Sequence, residues 1–147
     1  MTGKGSLNHN SRKFHAKNTD PNRTHWNVEY CNEDIKDVYH ELFDDALKRY
    51  NDKQTRKDRK IDDYYEKIRS GKQEKLFHEV ILQIGDKDNM GSETMEGQLA
   101  AKILDEYMKG FQERNPTLRV FAAHLHLDEA TPHLHIDFIP YVTGSCL

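Results

Sequence analysis

The stretch that most constrains the fold is residues 121–139, in which histidines alternate with apolar residues. It reads Phe-Ala-Ala-His-Leu-His-Leu-Asp-Glu-Ala-Thr-Pro-His-Leu-His-Ile-Asp-Phe-Ile and holds four of the nine histidines. A period of two is typical of β-strands whose two faces differ. The Asp-Glu-Ala-Thr-Pro run between the alternating halves is typical of a turn. The segment therefore predicts a pair of antiparallel strands.

Each of these strands has one apolar face. The apolar positions are Phe121, Ala123, Leu125 and Leu127 on the first strand, and Leu134, Ile136 and Phe138 on the second. Antiparallel folding places His126 opposite His133, with His135 two residues further along on the same face. Three imidazoles on rigid strands predict a divalent-metal site, with His124 as a flanking or supporting residue. Alternatively, these histidines are surface or hydrogen-bonded core residues.

Composition limits the remaining possibilities. A chain of 147 residues can bury the core of one domain. No run of about 18 apolar residues is present to span a membrane, and residues 1–10 lack the apolar centre of a secretory signal. Cys31 and Cys146 match neither a disulfide framework nor a zinc motif. A reducing, cytoplasmic setting is therefore expected.

Charge is distributed unevenly along the chain. The net charge of −3 does not by itself indicate nucleic-acid binding. However, residues 1–72 hold 16 Lys and Arg against 13 Asp and Glu, whereas residues 73–147 hold 6 against 12. The basic run Lys53–Lys60 is either a solvated helix face or a DNA-contacting surface. Acidic residues in the second half would help to hold a cation.

Helical spacing predicts three helices. The first covers 34–50, with Asn32 or Asp34 as its N-cap, and the second covers about 54–69 and stops at Ser70-Gly71. The third begins at Ser92 and ends at Asn115-Pro116. Its predicted core-facing positions are Met95, Leu99, Ile103, Tyr107 and Phe111.

The other segments complete an α+β prediction. Residues 1–30 are expected to be extended or looped, 76–84 a strand and 86–91 a loop. The result is a mainly antiparallel sheet with helices on one face. Because residues 142–147 look like the start of a loop, we expect residues 1–147 to be a single catalytic domain truncated at its C-terminus.

Three segments resemble motifs of a known enzyme family. His126-Leu-Asp-Glu-Ala-Thr-Pro-His-Leu-His135 closely resembles the metal motif of the Mob/Pre relaxases, the plasmid recombination or mobilization enzymes of the MOBV group. These are HUH endonucleases, named for a His-hydrophobic-His pair. His9-Asn-Ser-Arg12 resembles the first family motif, His-Asn-x-Arg, and Asp20-Pro-Asn-Arg-Thr-His-Trp-Asn27 resembles the second, Asn-Pro-x-Arg-x-x-x-Asn. The resemblance runs from Gly3 to Ser145.

The resemblance implies a metal-dependent relaxase with an HUH relaxase-like fold. Such enzymes nick one DNA strand at an origin of transfer, stay covalently bound to its 5′ phosphate and later rejoin the strand. His126, His133 and His135 would bind the metal, which polarises the scissile phosphate. Imidazole suits Zn, Mn or Fe better than Mg, which prefers oxygen ligands. The family is associated with Mn or Mg, so the resemblance favours Mn²⁺, with Mg²⁺ as the alternative. The implied partners are single-stranded or hairpin origin DNA and conjugation machinery, with the oligomeric state open.

The resemblance also assigns catalytic roles. His9 would be the nucleophile, because a neutral imidazole can attack phosphorus and form a phosphoramidate. Arg12 would bind the phosphate bidentately. Glu129 would orient a ligand imidazole or act as a base, unless it merely builds the turn with Asp128.

DNA contacts are expected mainly from basic residues of the first half of the chain. Trp26 would stack on a base, unless it is a core tryptophan. The full set of expected DNA contacts is Arg12, Lys13, Arg23, Trp26, Asn27, Arg56 and Lys57. Arg23 and Asn27 would contact either the DNA or the active site.

Alternative functions remain open at this stage. Most HUH enzymes use tyrosine, so Tyr64 or Tyr65 would be the nucleophile if the chain were a replication initiator or transposase of the same class. For that tyrosine pair the other interpretation is helix packing. A DNA-binding module that recognises an origin hairpin without cutting is a third possibility. Only eight residues precede His9, so the sheet is expected to lack a strand that some relatives have, or to take one from elsewhere.

Overall fold

The computed structural model describes residues 2–3, 6–14, 16–86, 88 and 91–144, so Cys146 and part of the 86–91 loop lie outside the described residues. The five strands form one antiparallel sheet in the order β1-β3-β5-β4-β2. This confirms the α+β prediction. The elements are β1 (Thr2–Gly3), α1 (Leu7–Asn10), β2 (Val28–Asn32), α2 (Ile35–Asp52), α3 (Tyr64–Ser70), β3 (His78–Gln83), α4 (Met95–Lys109), α5 (Phe111–Arg114), β4 (Leu118–His126) and β5 (His133–Pro140).

The hairpin of β4 and β5 lies at the centre of the sheet. Its register pairs His126 with His133, as the alternation predicts, and pairs His124 with His135. A β-bulge between Val120 and Ala122 interrupts the register. Because a bulge inverts the alternation, the prediction for Phe121 is wrong: its ring packs edge-to-face on Phe77, 5.5 Å between centroids, in the cluster on the other face.

Helices cover both faces of the sheet, so the prediction of helices on one face is wrong. α4 and α5 pack on the apolar face of the hairpin through Leu104, Met108 and Phe111. α2 and α3 pack on the opposite face, where Phe121 and Ile139 are buried. The reason is that β4 and β5 carry apolar side chains on both faces at the end remote from the turn. The histidines occupy the half of the second face nearer the turn.

α4 buries a different stripe from the one predicted. Its buried positions are Gly97, Ala100, Leu104 and Met108, whereas Met95, Leu99, Ile103 and Tyr107 are exposed. Both stripes have helical spacing, and the small residues Gly97 and Ala100 allow the helix to approach the sheet. Thr94 caps the helix in place of Ser92, since its Oγ1 accepts from the amide of Gly97 at 3.0 Å. The helix ends at Lys109, before the predicted stop, and Gly110 separates it from α5.

The first half of the chain follows the predictions in part. Asp34 caps α2 as predicted, by accepting from the amides of Lys36 and Asp37. The helix predicted over 54–69 is wrong except for its last part, because α3 begins only at Tyr64. Asp63 caps α3 at the amide of Glu66, and an Asp that bonds the backbone in this way starts a helix instead of continuing one. Single 3-10 turns occupy Thr24–Trp26 and Lys57–Arg59.

Two edge strands lie in the region expected to be extended or looped. β2 pairs with β4, and its existence was not predicted. β1 has only two residues and pairs with β3, so the sheet does have a short strand before the first motif. Among the described residues, no helix has the length and apolar character needed to cross a membrane.

Candidate metal centre and catalytic site

Four histidines form two rows on one face of the β4–β5 hairpin. His126 and His133 make the row nearest the turn, and His124 and His135 make the next row. The closest pair of rings is diagonal, with 4.6 Å between the centroids of His126 and His135, and 6.4 Å separates His133 from His135. The hairpin therefore brings the three predicted ligands together.

Ring nitrogens in this cluster are buried without partners. Nδ1 of His126, Nδ1 of His133 and both ring nitrogens of His135 form no hydrogen bond with the described residues. Burial lowers the pKa of His126 to about 3 and also lowers the pKa of His133. Both rings are therefore neutral at pH 7, which is the form that ligates metals. The donor set fits a divalent cation.

The cluster is not arranged as a closed ligand set. Within the part of the chain that the structure describes, no three His, Cys, Asp or Glu side chains are grouped so that they could enclose a cation. His126 Nε2 donates to the carbonyl of Asn10 at 2.8 Å, so its lone pair is on Nδ1. The Glu129 carboxylate lies between the rings, 3.8 Å from His126 Nδ1 and 3.5 Å from His133 Nδ1. Metal binding would therefore require rearrangement around Glu129.

His9 lies at the edge of this cluster. It is on α1, which Ser6 caps by accepting from the His9 amide. Its ring centroid is 6.1 Å from that of His126, and its Nε2 is 3.5 Å from Glu129 Oε1. The side chain is 21% exposed, so a ligand can reach it. The first and third motifs therefore meet in one site.

Arg12 is held inside the site. Its φ of 55° is in the left-handed region that non-glycine residues rarely adopt. Nε and Nη2 donate to the two oxygens of Asp128 at 2.9 and 2.6 Å, and Nη2 also donates to Glu129 at 2.9 Å. Nη1 donates to the carbonyl of His9 and lies 3.2 Å from His9 Nε2. The bidentate partner of Arg12 in this structure is Asp128, and its phosphate contact stays a prediction.

Asp128 joins all three motifs. It is fully buried, and its carboxylate accepts from Arg12 and from the hydroxyl of Thr24, while its carbonyl accepts from the amide of Asp20 at 2.6 Å. Burial favours a raised pKa, but hydrogen bonds led by that from Arg12 outweigh it and lower the pKa of Asp128 to about 2. Asp128 therefore does more than build the turn.

We expect Asp128→Asn to reduce the free energy of unfolding by roughly 1.5–3 kcal/mol, because it removes the bidentate carboxylate partner of the buried Arg12, which keeps only Glu129 as a counter-charge. Urea unfolding at pH 7 measures this. The matched control is Asp58→Asn, which breaks an exposed pair with Arg56 and should change little. Since the folded pKa is depressed, the Asp128 contribution is present above about pH 4 and is lost as the pH falls towards 2. Equal stability of the two variants would contradict this assignment.

The second motif supports the turn of the hairpin. Arg23 Nη2 donates to the carbonyl of Glu129 at 3.3 Å, and its Nε pairs with Asp20 at 3.1 Å. Asn27 accepts from the amide of Leu127 at 2.7 Å. Trp26 is 43% exposed and is therefore not a core residue. Its proposed stacking on a base stays a prediction.

The remaining predicted DNA contacts lie at the surface. Lys13, Arg56 and Lys57 are exposed, and Arg56 pairs with Asp58 at 2.6 Å. Neither Arg56 nor Lys57 has a described contact with the histidine cluster. Their role in binding DNA stays a prediction.

Tyr64 and Tyr65 pack against α2. The Tyr64 ring lies 5.0 Å from that of Phe43, and the Tyr65 ring lies 5.4 Å from that of Tyr39, as centroid distances. Burial raises the pKa of Tyr64, which makes its phenolate harder to form. Both observations favour helix packing over a nucleophilic role.

Three buried polar residues behind His135 were not predicted. Glu79 Oε1 lies 3.4 Å from His135 Nδ1, and Asn10 donates to both Glu79 and Asp137. Burial and the neighbouring Glu79 raise the pKa of Asp137 to about 9. For Glu79, burial alone would raise the pKa, but the approach of His135 and the contacts with Asp137 and Asn10 outweigh it and lower the pKa to about 2. Asp137 could have been found from the sequence, because it continues the alternation of His133 and His135 on the same strand face. Glu79 could not, because only the pairing of β3 with β5 brings it to the cluster.

Comparison with known proteins agrees with this geometry. The family model described as "Mob_Pre: Plasmid recombination enzyme" matches residues 4–147. A plasmid recombination enzyme of Streptococcus agalactiae is 24% identical over 146 residues, which are 96% of this chain and 26% of that protein. The chain therefore spans about a quarter of this relative.

Solved structures of a relaxase domain show the same fold. The MobM relaxase domain bound to oriT DNA of plasmid pMV158, in a Mn-bound crystal structure at pH 5.5, is 27% identical with a TM-score of 0.54. The match covers 96% of this chain and 65% of the MobM chain. A second structure of the same domain, at pH 4.6, is 26% identical with a TM-score of 0.51 and the same coverage. Because the family model covers nearly all of the sequence, the chain belongs to the plasmid recombination enzyme (Mob/Pre) family.

Proposed function

We propose that this chain is the catalytic domain of a relaxase, which nicks and rejoins single-stranded DNA at a plasmid origin of transfer through a covalent protein–5′-phosphate intermediate. One observation carries the proposal: His9 lies within 3.5 Å of Glu129, among neutral imidazoles whose buried nitrogens have no described partner. A nucleophile beside imidazole nitrogens that could ligate a cation suits metal-assisted phosphoryl transfer.

The metal ligands in this proposal are His126, His133 and His135. The DNA-bound MobM domain, which this chain resembles in fold, is a Mn-bound structure. The metal in that structure supports Mn²⁺ here. The alternative is Mg²⁺, which nitrogen donors suit less well. When bound, the ion would polarise the scissile phosphate and offset the charge that develops on its oxygens.

The residues around His9 prepare it for attack. Arg12 Nη1 can only donate, so its 3.2 Å approach to His9 Nε2 favours the tautomer with the lone pair on Nε2. Glu129 Oε1, 3.5 Å from the same nitrogen, can accept a proton from a charged His9. In the step proposed, the lone pair of neutral His9 Nε2 forms a bond to phosphorus and the bond from phosphorus to the 3′ oxygen breaks. That oxygen takes the proton that Glu129 accepted from His9 and leaves as a hydroxyl. Rejoining is the reverse reaction.

A labelled-oligonucleotide experiment tests the proposal. Single-stranded oligonucleotides tiled across the DNA that flanks the coding sequence are incubated with the chain and Mn²⁺ and separated on a denaturing gel. A slow-migrating covalent adduct is expected, and it should not form when EDTA is present during the incubation. Binding without cleavage would instead identify a DNA-binding module that recognises an origin hairpin. A cytoplasmic location and contact with conjugation machinery belong to the same proposal.

Binding of the oligonucleotide should weaken with salt, because exposed cations displace counterions from phosphates. The double variant Arg56→Gln, Lys57→Gln should lower the slope of log affinity against log salt concentration by about 0.7 for each lost contact. Lys102→Gln is the matched control, since Lys102 is exposed on α4 on the opposite face of the sheet. Fluorescence anisotropy at several salt concentrations measures the slopes. An unchanged slope in the double variant would remove these two residues from the DNA surface.

A further inference from the structure

Asn10, the residue after His9, contacts the histidine cluster and two acidic residues behind it. It is the last residue of α1 and is only 2% exposed. Its backbone carbonyl accepts from His126 Nε2 at 2.8 Å. Its side-chain amide donates to Glu79 Oε2 at 2.5 Å and to Asp137 Oδ2 at 3.3 Å. The two polar ends of one residue therefore face two different parts of the histidine cluster.

The contact with Glu79 continues to a second histidine. Glu79 binds Asn10 through Oε2 and presents Oε1 to His135 Nδ1 at 3.4 Å. Asn10 thus contacts His126 directly and His135 through one carboxylate. α1 has only four residues, so without such contacts it would hold His9 loosely.

We propose that Asn10 is a positioning residue that locks the helix carrying His9 to His126 and His135, so that nucleophile and metal ligands keep one relative geometry. The proposal rests on the function proposed above. An amide suits the place because its NH₂ group serves two carboxyl oxygens, one on Glu79 and one on Asp137. Aspartate would set a second carboxylate against Glu79, and alanine would leave both acceptors without their donor.

Exchanging donor and acceptor tests the proposal. Asn10→Asp removes the donor facing Glu79. Glu79→Gln keeps an oxygen for His135 but turns an NH₂ group towards the amide of Asn10. In the double variant, the glutamine introduced at position 79 donates to the aspartate introduced at position 10, and the hydrogen bond is restored with its direction reversed. Asn8→Asp, at an exposed position of the same helix, is the matched control.

The affinity for Mn²⁺, measured by calorimetry, is the first readout. Each single variant should weaken binding by about 10–100-fold, the range for residues that orient metal ligands. The double variant should recover most of that loss, because the coupling between two contacting residues is not additive. Asn8→Asp should bind as the original chain does. The proposal is overturned if either single variant binds Mn²⁺ normally, or if the double variant is no better than the singles.

A second readout separates this inference from the proposed metal centre. The ring NMR signals of His9, His126 and His135 in the metal-free protein should shift in both single variants and return in the double variant. If the original chain binds no Mn²⁺, the proposed metal centre fails, and these spectra alone decide the role of Asn10. Unchanged signals at His9 and His135 would overturn it. If Asn10 only stabilised the fold, the single variants would have a lower melting temperature and the double variant would not restore the signals.

Discussion

His9→Ala is expected to abolish the covalent adduct and to lower the single-turnover nicking rate by about a thousandfold or more, as removal of a nucleophile does in other enzymes. The physical reason is that the proposed metal ligands include His133, which also lies 3.5 Å from Glu129, but not His9, whose side chain is 21% exposed beside the same carboxylate. Quenched reactions on denaturing gels measure the rate, and anisotropy confirms that DNA still binds.

Tyr64→Phe and Tyr65→Phe are the matched controls for His9→Ala, because they keep the ring packing on α2 and remove only the hydroxyl. Both should retain adduct formation. The linkage adds a chemical criterion, since a phosphoramidate is labile in acid and a phosphotyrosine ester is stable. An acid-stable adduct mapped to Tyr64 or Tyr65 would refute the assignment of His9 and place the chain with the tyrosine-dependent enzymes.

Removal of two proposed metal ligands should strongly reduce the affinity for Mn²⁺. The double variant His126→Ala, His133→Ala is expected to lower the affinity for Mn²⁺ by more than about 100-fold, beyond the range seen for supporting residues. Each ring supplies a buried Nδ1 that no described group satisfies, so its removal deletes a ligand and not merely a hydrogen bond. Titration calorimetry provides the affinity, and circular dichroism checks the fold.

Two other histidines of the same sheet provide the comparison. His78 stacks on Phe138 on the face covered by α4, and His78→Ala should leave Mn²⁺ binding unchanged. His124→Ala should weaken binding less than the loss of a ligand, since His124 lies in the second row next to Glu29. If the double variant of His126 and His133 binds Mn²⁺ as tightly as the original chain, the metal assignment is wrong.

The central hairpin could be predicted from sequence because its alternation is a local signal. Strand parity alone places His126 opposite His133, and the structure has that register. The same rule failed at Phe121, because a bulge has no separate signature in an apolar run. On α4 two stripes had helical spacing, and only tertiary packing could choose the one that contains Gly97 and Ala100.

The residues of the candidate site that lie in recognisable motifs could be predicted. The contacts that depend on tertiary structure or strand pairing could not. His9, Arg12 and Glu129 came from the resemblance, and the structure places them together. The pairing of Arg12 with Asp128 was missed, because a residue beside a turn gives no sign of its distant partner. Glu79 was missed for the same reason, since it approaches His135 only through the alignment of β3 with β5.

The ion pair between Arg12 and Asp128 closes a loop of 116 residues. Closing a long loop costs entropy before any contact offsets it, so pairings this far apart in sequence tend to form late in folding. The hairpin, whose contacts are local, can fold before the N-terminal segment docks on it. A partly folded chain would then display its histidines and acquire its nucleophile last, so that chemistry on DNA is withheld until the fold is complete.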